Sequence, residues 1–84
     1  MEVEIGEVTH YFGKIRVAVL ELDQELKVGD QIHIIGHTTD FNQKVASMQI
    51  EHKEVPAAGP GADVAIKVKS RVRSGDAVFK VEEE

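Results

Sequence analysis

With 84 residues, 42% of them hydrophobic and 30% charged, the chain has room for one domain, taken as residues 1–84, and one modest core. The absence of cysteine excludes disulfides, thiolate chemistry and cysteine zinc sites, and the net charge of −5 argues against general polyanion binding. No apolar run approaches the ~20 residues of a membrane-spanning helix, and an N-terminus carrying Glu2, Glu4 and Glu7 does not read as a signal peptide, so a cytoplasmic protein without a membrane partner is expected.

Residues 3–12 are rich in Val, Ile, Tyr, Phe and Thr and read as a strand. The inward phase switches across Gly6, from Val3 and Ile5 to Val8, His10 and Phe12, which predicts a β-bulge there. Gly13-Lys14 links this strand by a hairpin to residues 15–20. In that second strand Ile15, Val17 and Val19 share one phase, while Ala18, Leu20 and Leu22 make the other phase apolar too. The barrel is expected to close over Ala18, Leu20 and Leu22. Left exposed, with Val28 and Ile35 near, they would favour docking to a protein partner or self-association. Residues 23–27 form a connection. The Gly29-Asp30 pair then turns the chain into a third strand, 31–35, ended by Gly36.

Residues 37–42 read as a polar loop. Residues 43–55 fit both a helical spacing (Val45, Met48) and a strand alternation (Ala46, Met48, Ile50, His52); the all-β surroundings favour the strand. Two Pro and two Gly mark residues 56–62 as a loop. Val64, Ile66 and Val68 alternate with Lys67 and Lys69 in a fifth strand. A second Gly-Asp pair, Gly75-Asp76, launches the last one, 77–81. Residues 82–84 are an acidic tail. Six short strands at this spacing predict an all-β fold, a single closed barrel that leaves no exposed edge.

The segments Gly6-Glu7-Val8, Leu26-Lys27-Val28-Gly29-Asp30, Ala58-Gly59-Pro60-Gly61-Ala62-Asp63 and Arg73-Ser74-Gly75-Asp76 resemble the second domain of translational GTPases of the elongation factor Tu type. A closer resemblance, through residues 36–41 and 47–52, is to the C-terminal barrel of collagenase-like peptidases of family U32. These resemblances imply a six-stranded closed Greek-key barrel and a free-standing, translation-factor-like accessory module. Neither a phosphate-binding Gly-x-x-x-x-Gly-Lys-Ser/Thr loop nor the peptidase catalytic domain is present in this sequence, so no GTP and no cofactor is expected.

Lys67, Lys69, Arg71 and Arg73 fall on one side of an extended segment, opposite Val64, Ile66, Val68 and Val72. They are the candidate RNA-binding residues, with Tyr11 and Phe41 as the aromatics expected to be exposed. The alternative for the stripe is a solvated outer face. His10, His33, His37 and His52 form no metal-binding spacing; His10 and His52 are expected to be partly buried, and no metal is expected. Ser47, Ser70 and Ser74 lie in no nucleophile-elbow motif, so no catalytic residue is assigned. The expected function is a non-catalytic binding module that contacts tRNA, ribosomal RNA or a ribonucleoprotein. The alternative is a docking subunit for a separately encoded catalytic partner such as a collagenase-like peptidase.

Overall fold

The computed structural model describes residues 1–82. Of the acidic tail only Glu82 is therefore included; Glu83 and Glu84 lie outside the described residues. Among the described residues there is no helix, and hence none long and apolar enough to cross a membrane. Ten strands follow one another: β1 Glu2–Phe12, β2 Val17–Leu22, β3 Leu26–Lys27, β4 Gln31–Ile35, β5 Asp40–Lys44, β6 Met48–Ile50, β7 Lys53–Glu54, β8 Ala57–Ala58, β9 Asp63–Lys67 and β10 Ala77–Val81. Eight of them form one antiparallel sheet in the order β5-β4-β10-β1-β2-β9-β6-β7, and β3 pairs with β8 in a second, two-stranded sheet.

The architecture is all-β, as the alternation requires, but the expected closed six-stranded barrel is not what the hydrogen-bond ladder shows. The ladder ends at β5 on one side and β7 on the other. After Lys67 the chain leaves the strand, so no backbone ladder joins β5 to it. The Gln43 side chain spans that seam instead. Its Nε2 donates to the Lys67 carbonyl at 2.8 Å, and its Oε1 accepts from the Lys69 N–H at 2.8 Å.

The sheet curls around a core that includes Ile5, Val8, Leu20, Leu22, Ile32 and Ile34, each at most 1% exposed. Burying one such side chain contributes about 1.5–3 kcal/mol. Ala18, Leu20 and Leu22 are thus covered, as expected, and the exposed apolar phase of β2 is the opposite one.

The predicted bulge is present: the β1–β10 register slips between Glu4 and Gly6. A Cβ on Gly6 would stand 2.1 Å from the Glu21 carbonyl oxygen, so only glycine lets β1 approach β2 this closely. A second slip, not foreseen, lies between Val8 and His10. The polar loop 37–42 is in part β5, which pairs with β4 along its whole length. The 43–55 stretch holds two short strands joined at Glu51 and His52, both with φ near the left-handed region (51° and 66°).

The two Gly-Asp turns are copies of one device. Gly29 has φ 98° and Gly75 φ 96°, a conformation cheap only for glycine. In each turn the Asp carboxylate accepts from the N–H three residues back, Lys27 or Arg73, at 2.9 Å. Each turn also grips one buried valine by both backbone groups. Gly29 N–H donates to the Val45 carbonyl and Val45 N–H to that of Asp30; Gly75 N–H donates to the Val8 carbonyl and Val8 N–H to that of Asp76. The strands that follow the turns, β4 and β10, pair with each other, with His33 opposite Phe79 at the middle.

Candidate functional site

The basic stripe keeps its alternation only in part as strand. Lys67 ends β9, and Lys69, Arg71 and Arg73 lie on the irregular segment beyond it. All four are exposed, whereas Val68 and Val72 between them are buried. Val68 N–H donates to the Arg16 carbonyl at 2.9 Å, which brings the β1–β2 turn with Arg16 beside the start of the stripe. Among the described residues the ion pairs are Lys27–Glu25, Lys80–Asp30 and the two made by His33, so none involves the stripe.

The aromatics are arranged differently from expectation. Tyr11 and Phe41 are half-buried and pack against the core, because their strand phases point inward. Phe12 is the exposed aromatic, at 47%. The expectation that His10 and His52 are partly buried is also overturned. Past the second bulge His10 points outward and lies 4.5 Å from the Phe12 ring, centroid to centroid, and His52 sits exposed at the β6–β7 turn.

The strand register orders the outer face of β1, β2 and β9 into rows. At one end Phe12 lies opposite Val17, and Val17 opposite Lys67. In the middle His10 lies opposite Val19, and Val19 opposite Ala65. At the other end Glu7 lies opposite Glu21, and Glu21 opposite Asp63. Val17, Val19 and Ala65 are half-buried, and Ile15 at the turn is 60% exposed. The β6–β7 hairpin walls one side with Gln49, Glu51 and His52, leaving a groove of about 480 Å³. The sequence had exposed this surface only as a second apolar phase of β2. Both phases were apolar, so alternation alone did not say which one faced out.

His33 on β4 is held between two carboxylates. Its Nδ1 lies 2.9 Å from Glu2 Oε1 and its Nε2 2.5 Å from Asp40 Oδ1, so a single ring ties β1, β4 and β5 together. The hydrogen bond to Asp40 is the main cause that raises the His33 pKa above its ordinary 6.5; burial opposes it, and the hydrogen bond to Glu2 and the charges of both carboxylates add to the rise. His37 is exposed in a loop. Among the described residues no group of three His, Cys, Asp or Glu side chains is placed to hold a metal ion.

Comparison with known proteins fits the peptidase side of the sequence resemblance. The chain is 45% identical over 83 residues, 98% of its length, to an uncharacterised protease of Methanocaldococcus jannaschii. It is 35% identical over 81 residues to a collagenase of Porphyromonas gingivalis. It spans about a fifth of the length of each, 20% in both cases. No family model matches the chain. Among solved structures, the C-terminal domain of a Geobacillus thermoleovorans protein assigned to the U32 peptidases superposes with a TM-score of 0.88, covering 93% of this chain and 91% of that one at 23% identity; this likeness speaks for the fold. These relatives do not support a translation-factor role.

Proposed function

We propose that this chain, homologous to the C-terminal domain of U32-family collagenase-like peptidases, is a non-catalytic docking module for a peptidase catalytic partner, whether that partner is a separate subunit or the rest of a longer polypeptide. The observation that carries the reading is the outer face of β1, β2 and β9. Its apolar side chains, Val17, Val19, Ala65 and the exposed Phe12 and Ile15, are grouped rather than scattered, and they run from the β1–β2 turn to the middle of the face, short of the Glu7–Glu21–Asp63 row. Grouped apolar surface of this kind marks contact with another macromolecule. In this reading the domain contributes binding and positioning, and the chemistry belongs to the partner.

The test is a pull-down with the tagged chain as bait, run beside Val19→Asp. The wild type is expected to retain a U32-type catalytic polypeptide and the variant to lose it. Recovery of no such polypeptide by either bait refutes the reading.

A second reading rests on one observation: Lys67, Lys69, Arg71 and Arg73 are all exposed, and none is paired with a carboxylate among the described residues. These residues would contact the phosphates of RNA. Binding to tRNA or ribosomes through ~4 phosphates would give a salt slope of about −3 to −4. Lys67→Glu with Arg71→Glu would abolish it. Unchanged binding by that variant, or no binding by the wild type, removes this reading.

A further inference from the structure

His33 stands on the outer face of β4, opposite Phe79 of β10 and Asn42 of β5, with a carboxylate on each ring nitrogen. Its Nδ1 lies 2.9 and 3.1 Å from the two Glu2 oxygens, and its Nε2 lies 2.5 Å from Asp40 Oδ1. An ionised carboxylate only accepts, and a neutral imidazole has one N–H and one bare nitrogen. Both contacts therefore hold only in the imidazolium, which donates twice. The two carboxylates belong to strands that are not neighbours: β1 lies beyond β10 on one side of β4, and β5 is the outermost strand on the other. A single proton completes a bridge from β1 to β5, over β10 and β4.

Few other charges surround the ring. In the same outward phase stand Glu2 and Glu4 on β1 and Asp40 and Lys44 on β5, while β10 presents no titratable group there. Lys80 of β10 falls in the opposite phase, opposite Ile32, and pairs with Asp30 at 3.7 Å. The charges that act on the ring are those of Glu2 and Asp40, and both favour its protonated form.

When the proton leaves, one nitrogen must meet a carboxylate with a lone pair, so one of the two anions is let go. Asp40 holds the shorter contact, and its backbone is fixed by the β4–β5 turn, where Gly36 and Thr39 exchange both backbone hydrogen bonds. Glu2 is the first residue of β1, next to the Met1–Glu82 pair that ends the β1–β10 ladder. We infer that His33 is a proton-operated clamp: the imidazolium ties the start of β1 to β5, whereas the neutral ring keeps its Nε2–H on Asp40 and releases Glu2, loosening the first residues of β1 from β10. The inference is independent of the docking reading, which rests on the face of β1, β2 and β9.

Nitrogen NMR of the imidazole across pH tests which carboxylate is kept. At about pH 9 the wild-type ring is expected in the Nε2–H form with Nδ1 bare. Asp40→Asn, whose amide can donate to a bare Nε2, is expected to reverse this and leave Nδ1–H on Glu2. An Nδ1–H ring in the wild type, or the two neutral forms in equal amounts, overturns the inference. Amide exchange, taken relative to an unstructured chain at the same pH, tests the release. Met1 and Glu82 form a hydrogen-bonded pair, so alternation makes Val3 and Lys80 the next one. Protection at the Val3 and Lys80 amides is expected to fall about tenfold from about pH 6 to about pH 9, the lower end for a charged hydrogen bond lost at a partly exposed site. Glu2→Gln is expected to abolish that fall, because its amide accepts from the imidazolium and donates to the bare nitrogen of the neutral ring. Glu2 and Asp40 are both exposed, so neither change disturbs the core, and a circular dichroism melt verifies folding. Protection that does not fall in the wild type, or that falls as far in Glu2→Gln, overturns the inference.

Discussion

Replacing Gln43 by Ala removes the side chain that hydrogen-bonds across the open seam between β5 and the end of β9. Two hydrogen bonds of 2.8 Å are lost, one to the Lys67 carbonyl and one from the Lys69 N–H. A net hydrogen bond contributes about 0.5–1.5 kcal/mol, so the pair sets a range of about 1–3 kcal/mol. Lys67 and Lys69 are exposed, and water can take over at their backbone groups, which places the expected cost at about 1–2 kcal/mol. In a domain of this size that lowers the melting temperature by roughly 5–15 °C. In urea the midpoint falls by about 1 M, with the slope unchanged. Gln43→Glu sharpens the test. Its carboxylate still accepts from the Lys69 N–H but cannot donate to the Lys67 carbonyl, so it is expected to be about as destabilised as the alanine variant. Amide exchange at Lys69 reports the bond itself and is expected to accelerate in Gln43→Ala alone. If Gln43→Ala melts with the wild type and the Lys69 amide stays protected, the seam is held by something else and the argument fails.

Gly6→Ala drives a Cβ to 2.1 Å from the Glu21 carbonyl oxygen, a backbone atom that cannot swing aside, and is expected to cost about 3 kcal/mol or more by chemical denaturation; Gly59→Ala, with open space around the new atom, is the near-neutral control. His33 has a folded-state pKa above its unfolded value, so its contribution to stability is complete below pH 6.5 and is lost as pH rises through the folded pKa. Stability measured from pH 6 upward is therefore expected to decline in the wild type, and that part of the decline is expected to be absent in His33→Gln. Asp76 is 6% exposed and Asp30 less buried, so Asp76→Ala, which strands the Arg73 N–H, is expected to cost about 2 kcal/mol, against about 1 kcal/mol for Asp30→Ala at the Lys27 N–H. Equal costs in the same denaturation assay would show that burial does not set the difference.

Local chemistry was most legible where one residue type had one job. Gly29 and Gly75 announced turns because a positive φ excludes most side chains there, and Gly6 announced a bulge because the inward phase changed across it. Strand β5 was hidden because Asp40-Phe41-Asn42-Gln43-Lys44 has little β-propensity of its own and is held as a strand by its ladder with β4. The closed barrel failed as an expectation for a related reason: strand count carries no information about whether the last pair meets by backbone or, as at Gln43, by a side chain. The docking face was half legible. The apolar residues of β2 could be counted, but their outward phase and the carboxylates of β1 and β9 beside them depend on the cross-strand register, which the two bulges set. The exposed position of His10 follows from the second of those bulges, at a place where no glycine marked it.

The two Gly-Asp grips have a consequence for when this chain can fold. The first grip, at Gly29, holds Val45, a nearby residue still to be made, whereas the second, at Gly75, holds Val8 close to the N-terminus. Strand β10, which the second grip launches, lies between β1 and β4 in the sheet. As the polypeptide emerges, β1 and β4 must wait with unpaired edges for the strand that belongs between them. Pairings over such sequence distances close slowly, typically in milliseconds to seconds. During that interval those edges are open to any other extended chain, and the period of greatest exposure to aggregation ends only when β10 slots into place.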